Sequence, residues 1–186
     1  MWQNFCGWLL KRAGWRIDGD LPSIPKFLLI GAPHTSNWDF VVCIIARFAL
    51  GLEIKFLGKH QLFKPPFGWI FRALGGYPVV RHQRGNVVQD AVDLFDRHEK
   101  FVLGLAPEGT RKHVGHWRSG FYHIALGAKV PLVLLGLDFG NRRLCLSEPM
   151  YLTGDRSTDA AAIEAFFKPI QGKKHQPIPK GLGWDD

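Results

Sequence analysis

The hydrophobic and polar positions along the chain alternate between two periods, one typical of helices and one typical of strands. Residues 2–16 place apolar side chains at offsets of three, four and seven residues, which predicts an amphipathic helix. Short apolar runs predict strands at 26–31, 53–57, 77–80, 101–105 and 130–138, with an edge strand at 143–146. Helical patterns cover 37–50, 85–99, 119–126 and 158–167, and two short helices fall within 61–74. This alternation predicts an α/β fold with a mostly parallel central sheet flanked by helices.

The length of 186 residues predicts one domain with short additions at its ends. We divide the chain into an N-terminal amphipathic helix over 1–19, a main domain over 20–170 and a tail over 171–186. The tail is rich in proline and lysine, so we expect it to be loosely held. Ligands in α/β folds gather beyond the carboxyl ends of the strands. We therefore expect the loops after 31, 80 and 105 to surround one crevice.

The chain carries 24 lysine and arginine residues against 16 acidic ones, a net charge of +8. This excess favours an acidic partner: nucleic acid, an anionic membrane surface or a phosphorylated substrate. No run approaches the ~18 unbroken apolar residues that a membrane-spanning helix needs. The first residues lack the basic start and the cleavage site of a signal peptide. We expect a protein that is soluble or lies on a membrane surface.

Three cysteines, Cys6, Cys43 and Cys145, are far apart in the sequence. An odd number at such spacing fits neither a disulfide framework nor a zinc motif. We interpret them as reduced core residues in a reducing compartment.

Aromatic residues are concentrated in two stretches that also carry basic residues. Trp2, Trp8 and Trp15 lie near the N-terminus, and residues 61–74 combine phenylalanine and tryptophan with Lys64 and Arg72. Tryptophan favours positions between an apolar and a wet environment. Residues 2–16 therefore form either an anchor at a membrane surface or a helix packed on the core, and the sequence favours neither.

The first loop with candidate chemistry contains His34 and Asp39. His34 follows a predicted strand and Asp39 opens a predicted helix. An aspartate that accepts from histidine Nδ1 fixes the tautomer and leaves Nε2 free to take a proton. Histidine is suited to be a general base near neutral pH. The alternative is a helix cap, in which Ser36 or Asn37 caps the helix, Asp39 complements its dipole and His34 only makes a hydrogen bond.

Two further loops carry arginines. Pro107-Glu108-Gly109-Thr110-Arg111 follows the strand at 101–105, and Arg81 follows the strand at 77–80. Glycine allows a close approach of the backbone to a ligand, and a guanidinium matches phosphate geometry. We expect Glu108 to hold the loop or orient Arg111. The alternatives are a surface turn with one salt bridge and a solvated Arg81.

These blocks together resemble the PlsC-like glycerolipid acyltransferases, which include the 1-acylglycerol-3-phosphate acyltransferases. The resemblance rests on His34-x4-Asp39, the stretch from Gly76 to Arg81, Pro107 to Arg111, and the block from Val130 to Val133, which occur in this order over about residues 20 to 140. It implies a glycerol-3-phosphate acyltransferase-like fold. It also implies transfer of a fatty acyl group from acyl-CoA or acyl carrier protein, as co-substrate without a cofactor, to a lysophospholipid hydroxyl.

The resemblance also implies roles for individual residues. His34 matches the catalytic base and Asp39 its orienting partner. The acceptor-phosphate site is matched by Arg81, Glu108, Gly109, Thr110 and Arg111, and Pro131 matches a block assigned to the acyl donor or to packing. The implied location is peripheral, on the cytoplasmic face of the membrane, in phospholipid biosynthesis. The sequence departs from the family pattern at Pro33, Ala106 and Lys112, which leaves the acceptor open and makes a lyso-aminolipid an alternative.

The mechanism we expect is direct attack of the acceptor hydroxyl on the thioester, because no cysteine or serine lies in a nucleophile-elbow context. Backbone N–H groups at the start of the helix after His34 are expected to stabilise the oxyanion. Two other classes stay open: a basic module that binds nucleic acid, and a metal hydrolase built from His113, His116 and His123. The basic residues are dispersed and the histidine spacing fits no ligand motif, so we favour the enzyme without nucleic acid or metal.

Overall fold

The computed structural model describes residues 2–79 and 84–184. The helices are α1 (Trp2–Arg12), α2 (Asn37–Leu50), α3 (Gly68–Ala73), α4 (Arg84–Arg97), α5 (Gly120–Ala128) and α6 (Arg156–Phe167). The strands are β1 (Arg16–Asp18), β2 (Lys26–Ala32), β3 (Ile54–Lys59), β4 (Gly76–Val79), β5 (Phe101–Leu105), β6 (Leu132–Asp138) and β7 (Arg143–Leu146). Short 3-10 helices cover His60–Phe63 and Lys180–Gly183.

The strands form one sheet in the order β1-β7-β6-β2-β5-β3-β4. The five strands from β6 to β4 in this order are parallel to their neighbours, β7 is antiparallel to β6, and β1 is parallel to β7. β2 lies at the centre, and its residues from Phe27 to Ile30 are all buried. A strand covered by helices on both faces needs such a continuous apolar run. The predicted α/β fold with a mostly parallel sheet is confirmed.

α2 begins and ends at the predicted residues, 37 and 50. Ser36 caps its first turn in a capping box with Asp39, and Gly51 ends it with a left-handed backbone at φ 64°. These local signals fix the direction in which the chain leaves β2, and α2 carries Asp39 in its first turn.

Several elements differ from the predicted bounds by one or two residues, and the clearest differences concern α1, the edge strand and α5. α1 ends at Arg12 rather than at 16, because Gly14 turns the chain with φ 76° and residues 16–18 pair with β7. Consequently β1 is the edge strand, and 143–146, predicted as an edge, lies between β1 and β6. α5 runs through Gly127 to Ala128, where a side chain at 127 would place its Cβ 3.0 Å from Val92 of α4.

The tail, described as far as residue 184, contacts the core at positions that the sequence does not reveal. Leu182 is fully buried in the main core, and the amide of Trp117 donates to its carbonyl. The indole N–H of Trp184 donates to the carbonyl oxygen of Trp117 over 2.9 Å. Burial of apolar side chains explains these contacts, since Leu182 and Trp184 pack in the same core as Trp117 and Phe121. None of the helices within 2–79 and 84–184 has the length and apolar character to cross a bilayer.

Candidate active site

The site lies where β2 and β5 end side by side. The two strands are parallel, with Ile30 opposite Leu105, so the loops that follow them leave the sheet at the same edge. Residues 33–36 lead from β2 into α2, and residues 106–119 lead from β5 into α5. The expected meeting of these two loops is therefore observed. Arg81, the candidate on the third loop, lies outside the described residues.

His34 and Asp39 form a pair, as the spacing predicted. Nδ1 of His34 lies 3.1 Å from Oδ2 of Asp39. The Asp39 side chain is almost fully buried, whereas 30% of the His34 side chain is exposed. This difference places the carboxylate behind the ring and leaves one side of the imidazole accessible from solvent. A proton-accepting group needs this access.

The carboxylate of Asp39 also holds the loop that carries His34. Its Oδ2 accepts from the amides of Thr35 and Ser36, each over 2.7 Å. All three contacts converge on Oδ2, and Oδ1 is buried without a partner among the described residues. The capping alternative and the paired-histidine interpretation thus coexist in the structure. The cap fixes the geometry of the pair.

Glu108 supports the same loop from the β5 side. Its Oε2 accepts from the backbone N–H of His34 over 2.6 Å, and the residue is only 6% exposed. Burial raises the pKa of Glu108 to about 7, although the amide and the charge of His34 lower it. We expected Glu108 to hold its own loop or orient Arg111. Instead it accepts from His34, a contact between loops that sequence spacing does not reveal.

Beyond Glu108, the second loop is half-buried at Gly109 and Thr110 and exposed from residue 111 to 113. Gly109 has φ 65°, a left-handed backbone that favours glycine, and a Cβ there would lie 2.7 Å from Nε of Arg118. The hydroxyl of Thr110 accepts from the amide of Lys112 over 3.3 Å. Arg111 is exposed, and no ion pair engages it within the described part of the chain. An accessible guanidinium of this kind can bind a phosphate.

Pro131 has a structural contact at the other end of β2. Its carbonyl accepts from the amide of Leu28 over 3.0 Å, and Val130 and Pro131 are both buried. Of the two roles implied by the resemblance, this position agrees with packing.

The amides expected to stabilise an oxyanion are already used. Those of His34, Thr35 and Ser36 donate to carboxylates, and the amide of Trp38 donates to the hydroxyl of Ser36 over 3.2 Å. At the start of α2, where oxyanion donors were expected, the amides of Ser36 and Trp38 are therefore not free. The side-chain oxygens of Asp39, Glu108 and Ser36 accept from these four amides, and the resulting hydrogen bonds stabilise the loop.

Sequence reasoning missed a third segment beside the site, at residues 171–176. The amide of Lys174 donates to Oγ1 of Thr35 over 3.2 Å, and Nε2 of Gln176 donates to the carbonyl of Arg111 over 3.2 Å. The segment has no periodic pattern and matches no motif, so only the tertiary structure reveals it.

Cysteine and metal chemistry find little support here. The three cysteines are free thiols. Burial, together with the charge of Asp39, raises the pKa of the Cys43 thiol to about 12, so it stays protonated near neutral pH and is a poor nucleophile. Within residues 2–79 and 84–184 no three histidine, cysteine or acidic side chains are grouped as metal ligands, and this includes His113, His116 and His123.

Comparison with known proteins finds similarity to acyltransferases. A family model described as Acyltransferase matches residues 20–137, which include His34, Asp39 and the loop from Pro107 to Arg111. The 1-acyl-sn-glycerol-3-phosphate acyltransferase of Saccharomyces cerevisiae is 24% identical over 175 residues, covering 67% of this chain. The chain spans 56% of the length of that relative.

A solved structure has the same fold. The crystal structure of PlsC, the 1-acyl-sn-glycerophosphate (LPA) acyltransferase from Thermotoga maritima, matches with a TM-score of 0.60 and 17% identity. The match covers 90% of this chain and 76% of PlsC. A hexon protein of Murine adenovirus A serotype 1 is 32% identical over 65 residues, but these cover only 7% of the viral protein. Such a short segment does not indicate a shared fold.

Proposed function

The chain belongs to the acyltransferase family, and from this premise we propose that it moves a fatty acyl group from a thioester donor to a lysophospholipid hydroxyl. The donor is acyl-CoA or acyl carrier protein, and the acceptor is a lipid such as 1-acylglycerol-3-phosphate. The observation that carries the proposal is the His34–Asp39 pair, in which Nδ1 lies 3.1 Å from a buried carboxylate. This contact leaves Nε2 as the nitrogen that can take a proton.

The proposed reaction is a direct transfer with His34 as general base. Nε2 takes the proton of the acceptor hydroxyl while that oxygen attacks the thioester carbonyl. The tetrahedral intermediate collapses, the carbon–sulfur bond breaks, and the protonated imidazole returns the proton to the leaving thiolate. The products are the acylated lipid and the free thiol. Asp39 stabilises the imidazolium while it exists and keeps the ring in one orientation.

The acceptor phosphate is proposed to bind at the second loop. Arg111 is exposed beside the site, and Gly109 permits close approach of the backbone. A bidentate guanidinium–phosphate contact would hold the glycerol hydroxyl at a fixed distance from His34. Arg81 and Thr110 are assigned to the same site on the strength of the family resemblance.

An exposed aromatic surface supports peripheral attachment to a membrane, on the cytoplasmic face as we propose. Trp2 and Trp69 are 75% and 69% exposed. Cys6 and Leu10 of α1 are buried, so one face of the helix packs on the protein while Trp2, Phe5 and Trp8 face outward. The sequence left two options for this helix, and the structure gives it both a packed face and a free one. Aromatic side chains with nearby Lys11 and Arg12 suit an anionic lipid surface.

A transfer assay tests this proposal. The purified chain is incubated with labelled acyl-CoA, or labelled acyl carrier protein, and a panel of lysophospholipids that includes a lyso-aminolipid. Thin-layer separation then identifies the acylated product. We expect a diacyl product from a phosphate-bearing acceptor. No product with any pair, together with a salt-dependent shift of nucleic acid on a gel, would contradict the enzyme and favour the basic binding module.

A further inference from the structure

We propose that residues 171–176, here called the strap, position the loop that carries His34. The inference rests on the proposed function, because it assigns the strap a role in that reaction. Three contacts fasten the strap across the carboxyl ends of β6, β2 and β5. The family model ends at 137, so the strap lies outside the matched region.

The first contact joins the strap to the end of β6. The amide of Phe139, the residue after β6, donates to the carbonyl of Gln171 over 2.7 Å. Ile170, the residue before the strap, packs closely on the sheet, since a Cβ at Gly136 would lie 2.9 Å from Cδ1 of Ile170. The start of the strap is thereby held by both a hydrogen bond and apolar packing.

The second contact joins the strap to the loop with His34. A Cβ at Gly172 would lie 2.9 Å from Cγ of Pro33 and 2.9 Å from Cγ2 of Thr35. Real Cβ atoms rarely approach this closely, so the strap meets the loop at a distance that glycine alone permits. Two residues later, the amide of Lys174 donates to Oγ1 of Thr35.

The third contact reaches the loop with Arg111. Nε2 of Gln176 donates to the carbonyl of Arg111 over 3.2 Å. Within the second contact, between Gly172 and Lys174, the Lys173 ammonium lies 5.2 Å from the centre of the Trp38 ring, a cation–π distance. The strap therefore spans both loops that carry the candidate chemistry.

Thr35 connects the strap to the reacting group. Its side chain accepts from the strap, and its amide donates to Oδ2 of Asp39 over 2.7 Å, the same oxygen that holds His34. The residue is 1% exposed, so it has little room to move independently. A displacement of Thr35 changes the position of the neighbouring His34 against Asp39. Thr35 and the strap act through His34 and are positioning residues.

The decisive variants are Thr35→Val and Thr35→Ser. Valine keeps the shape and the backbone amide but removes the acceptor of the Lys174 amide, whereas serine keeps the acceptor. We expect kcat to fall about tenfold in Thr35→Val, because small misplacements of a catalytic group cost rate. We expect KM for both substrates to stay within about twofold, and Thr35→Ser to stay within about twofold of the wild type in kcat.

Amide hydrogen exchange gives a readout independent of turnover. In Thr35→Val, the amides of residues 34–36 should exchange several-fold faster than in the wild type, because their bonds to Glu108 and Asp39 open more often. Gly172→Ala should reproduce both effects, since its methyl group meets Pro33 and Thr35. Gly120→Ala is the matched control, because a Cβ there has no heavy atom within 4 Å.

The outcomes separate the strap from the proposed function. Thr35→Val and Gly172→Ala proteins that keep both the wild-type kcat and the wild-type exchange at 34–36 would overturn the positioning role. A raised KM with unchanged kcat would overturn it too, since the strap would then bind substrate. If the wild type transfers no acyl group, the proposed function fails, while the exchange comparison still tests whether the strap holds the loop.

Discussion

The two loops that meet at the carboxyl ends of β2 and β5 are built in different ways. The loop with His34 is largely buried, its amides donate to Asp39 and Glu108, and the hydroxyl of Thr35 accepts from the amide of Lys174. The loop with Arg111 is exposed from residue 111 to 113, so Arg111 is accessible from solvent. A proton-transfer group must be held in place before the reaction, whereas a charged ligand must be able to enter. This difference supports the proposal that the first loop carries the proton-transfer group and the second binds the acceptor.

The largest effect that separates the loops is expected at Asp39. Asp39→Asn removes the negative charge that stabilises the imidazolium and disturbs the acceptor of three hydrogen bonds. We expect kcat to fall by about 10⁴-fold, in line with the loss of an orienting aspartate in other histidine-dependent enzymes. Initial rates with labelled acyl-CoA measure it. Asp90→Asn, on the solvent side of α4, is the control, and a variant that stays within tenfold of the wild type would contradict the pairing.

Glu108 gives a test based on stability. Burial raises the pKa of Glu108 from 4.5 to about 7. The carboxyl therefore ionises at a higher pH in the folded protein than in the unfolded chain. The carboxyl therefore stabilises the fold below pH 4.5, and this contribution is lost as the pH rises through 7. Glutamine does not ionise, so Glu108→Gln does not lose this contribution. From pH 4 to pH 8, the unfolding free energy of Glu108→Gln minus that of the wild type should increase by up to about 3 kcal/mol.

Urea unfolding at several pH values measures this shift, with the exposed Glu99→Gln as the control. A difference between Glu108→Gln and wild type that does not change with pH would show that the buried carboxyl ionises normally.

Arg111 should affect binding and leave the fold intact. Arg111→Ala removes an exposed guanidinium, and a charge-assisted hydrogen bond to a ligand contributes about 1.5–3 kcal/mol. We expect KM for a phosphate-bearing acceptor to rise about tenfold or more, with kcat less affected and the melting temperature unchanged. Arg97→Ala, another exposed arginine on a described helix, is the control. If Arg111→Ala and Arg97→Ala show the same fall in kcat and the same rise in KM, the distinction between the loops is lost.

The smallest effect is expected at the aromatic surface of α1. Trp2 and Trp8 are exposed and contact Phe5 on the same face. The double substitution Trp2→Ser and Trp8→Ser should lower partitioning onto anionic liposomes several-fold, because it removes apolar area from the interface. Co-sedimentation measures it, and transfer to a short-chain, water-soluble acceptor should be unchanged. Retained liposome binding would mean that α1 serves only the core.

Local signals in the sequence were sufficient for most of the fold. α2 is delimited by Ser36 and Gly51, and the buried strands read as continuous apolar runs. β1 was missed because three residues, Arg16–Asp18, show no period, and only pairing with β7 makes them a strand. The end of α5 was missed because a glycine commonly ends a helix, whereas Gly127 lies inside α5 and allows close packing on Val92.

The candidate site was predictable only in part. The spacing of His34 and Asp39 at a strand-to-helix turn indicated their contact, because both residues belong to one local structure. The bond from His34 to Glu108 joins residues 74 positions apart, and the bond from Lys174 to Thr35 joins residues 139 apart. Local pattern cannot encode such partners, since they depend on the order of the strands in the sheet.

The most direct test of the central claim is the rate of acyl transfer by His34→Ala. The exposed His123→Ala is the matched control, because it removes an imidazole elsewhere on the surface. With His34 as general base, its loss should lower kcat by about 10²–10⁴-fold, while His123→Ala keeps the wild-type rate and circular dichroism shows both variants folded. A folded His34→Ala protein that transfers acyl groups at the wild-type rate would contradict the account.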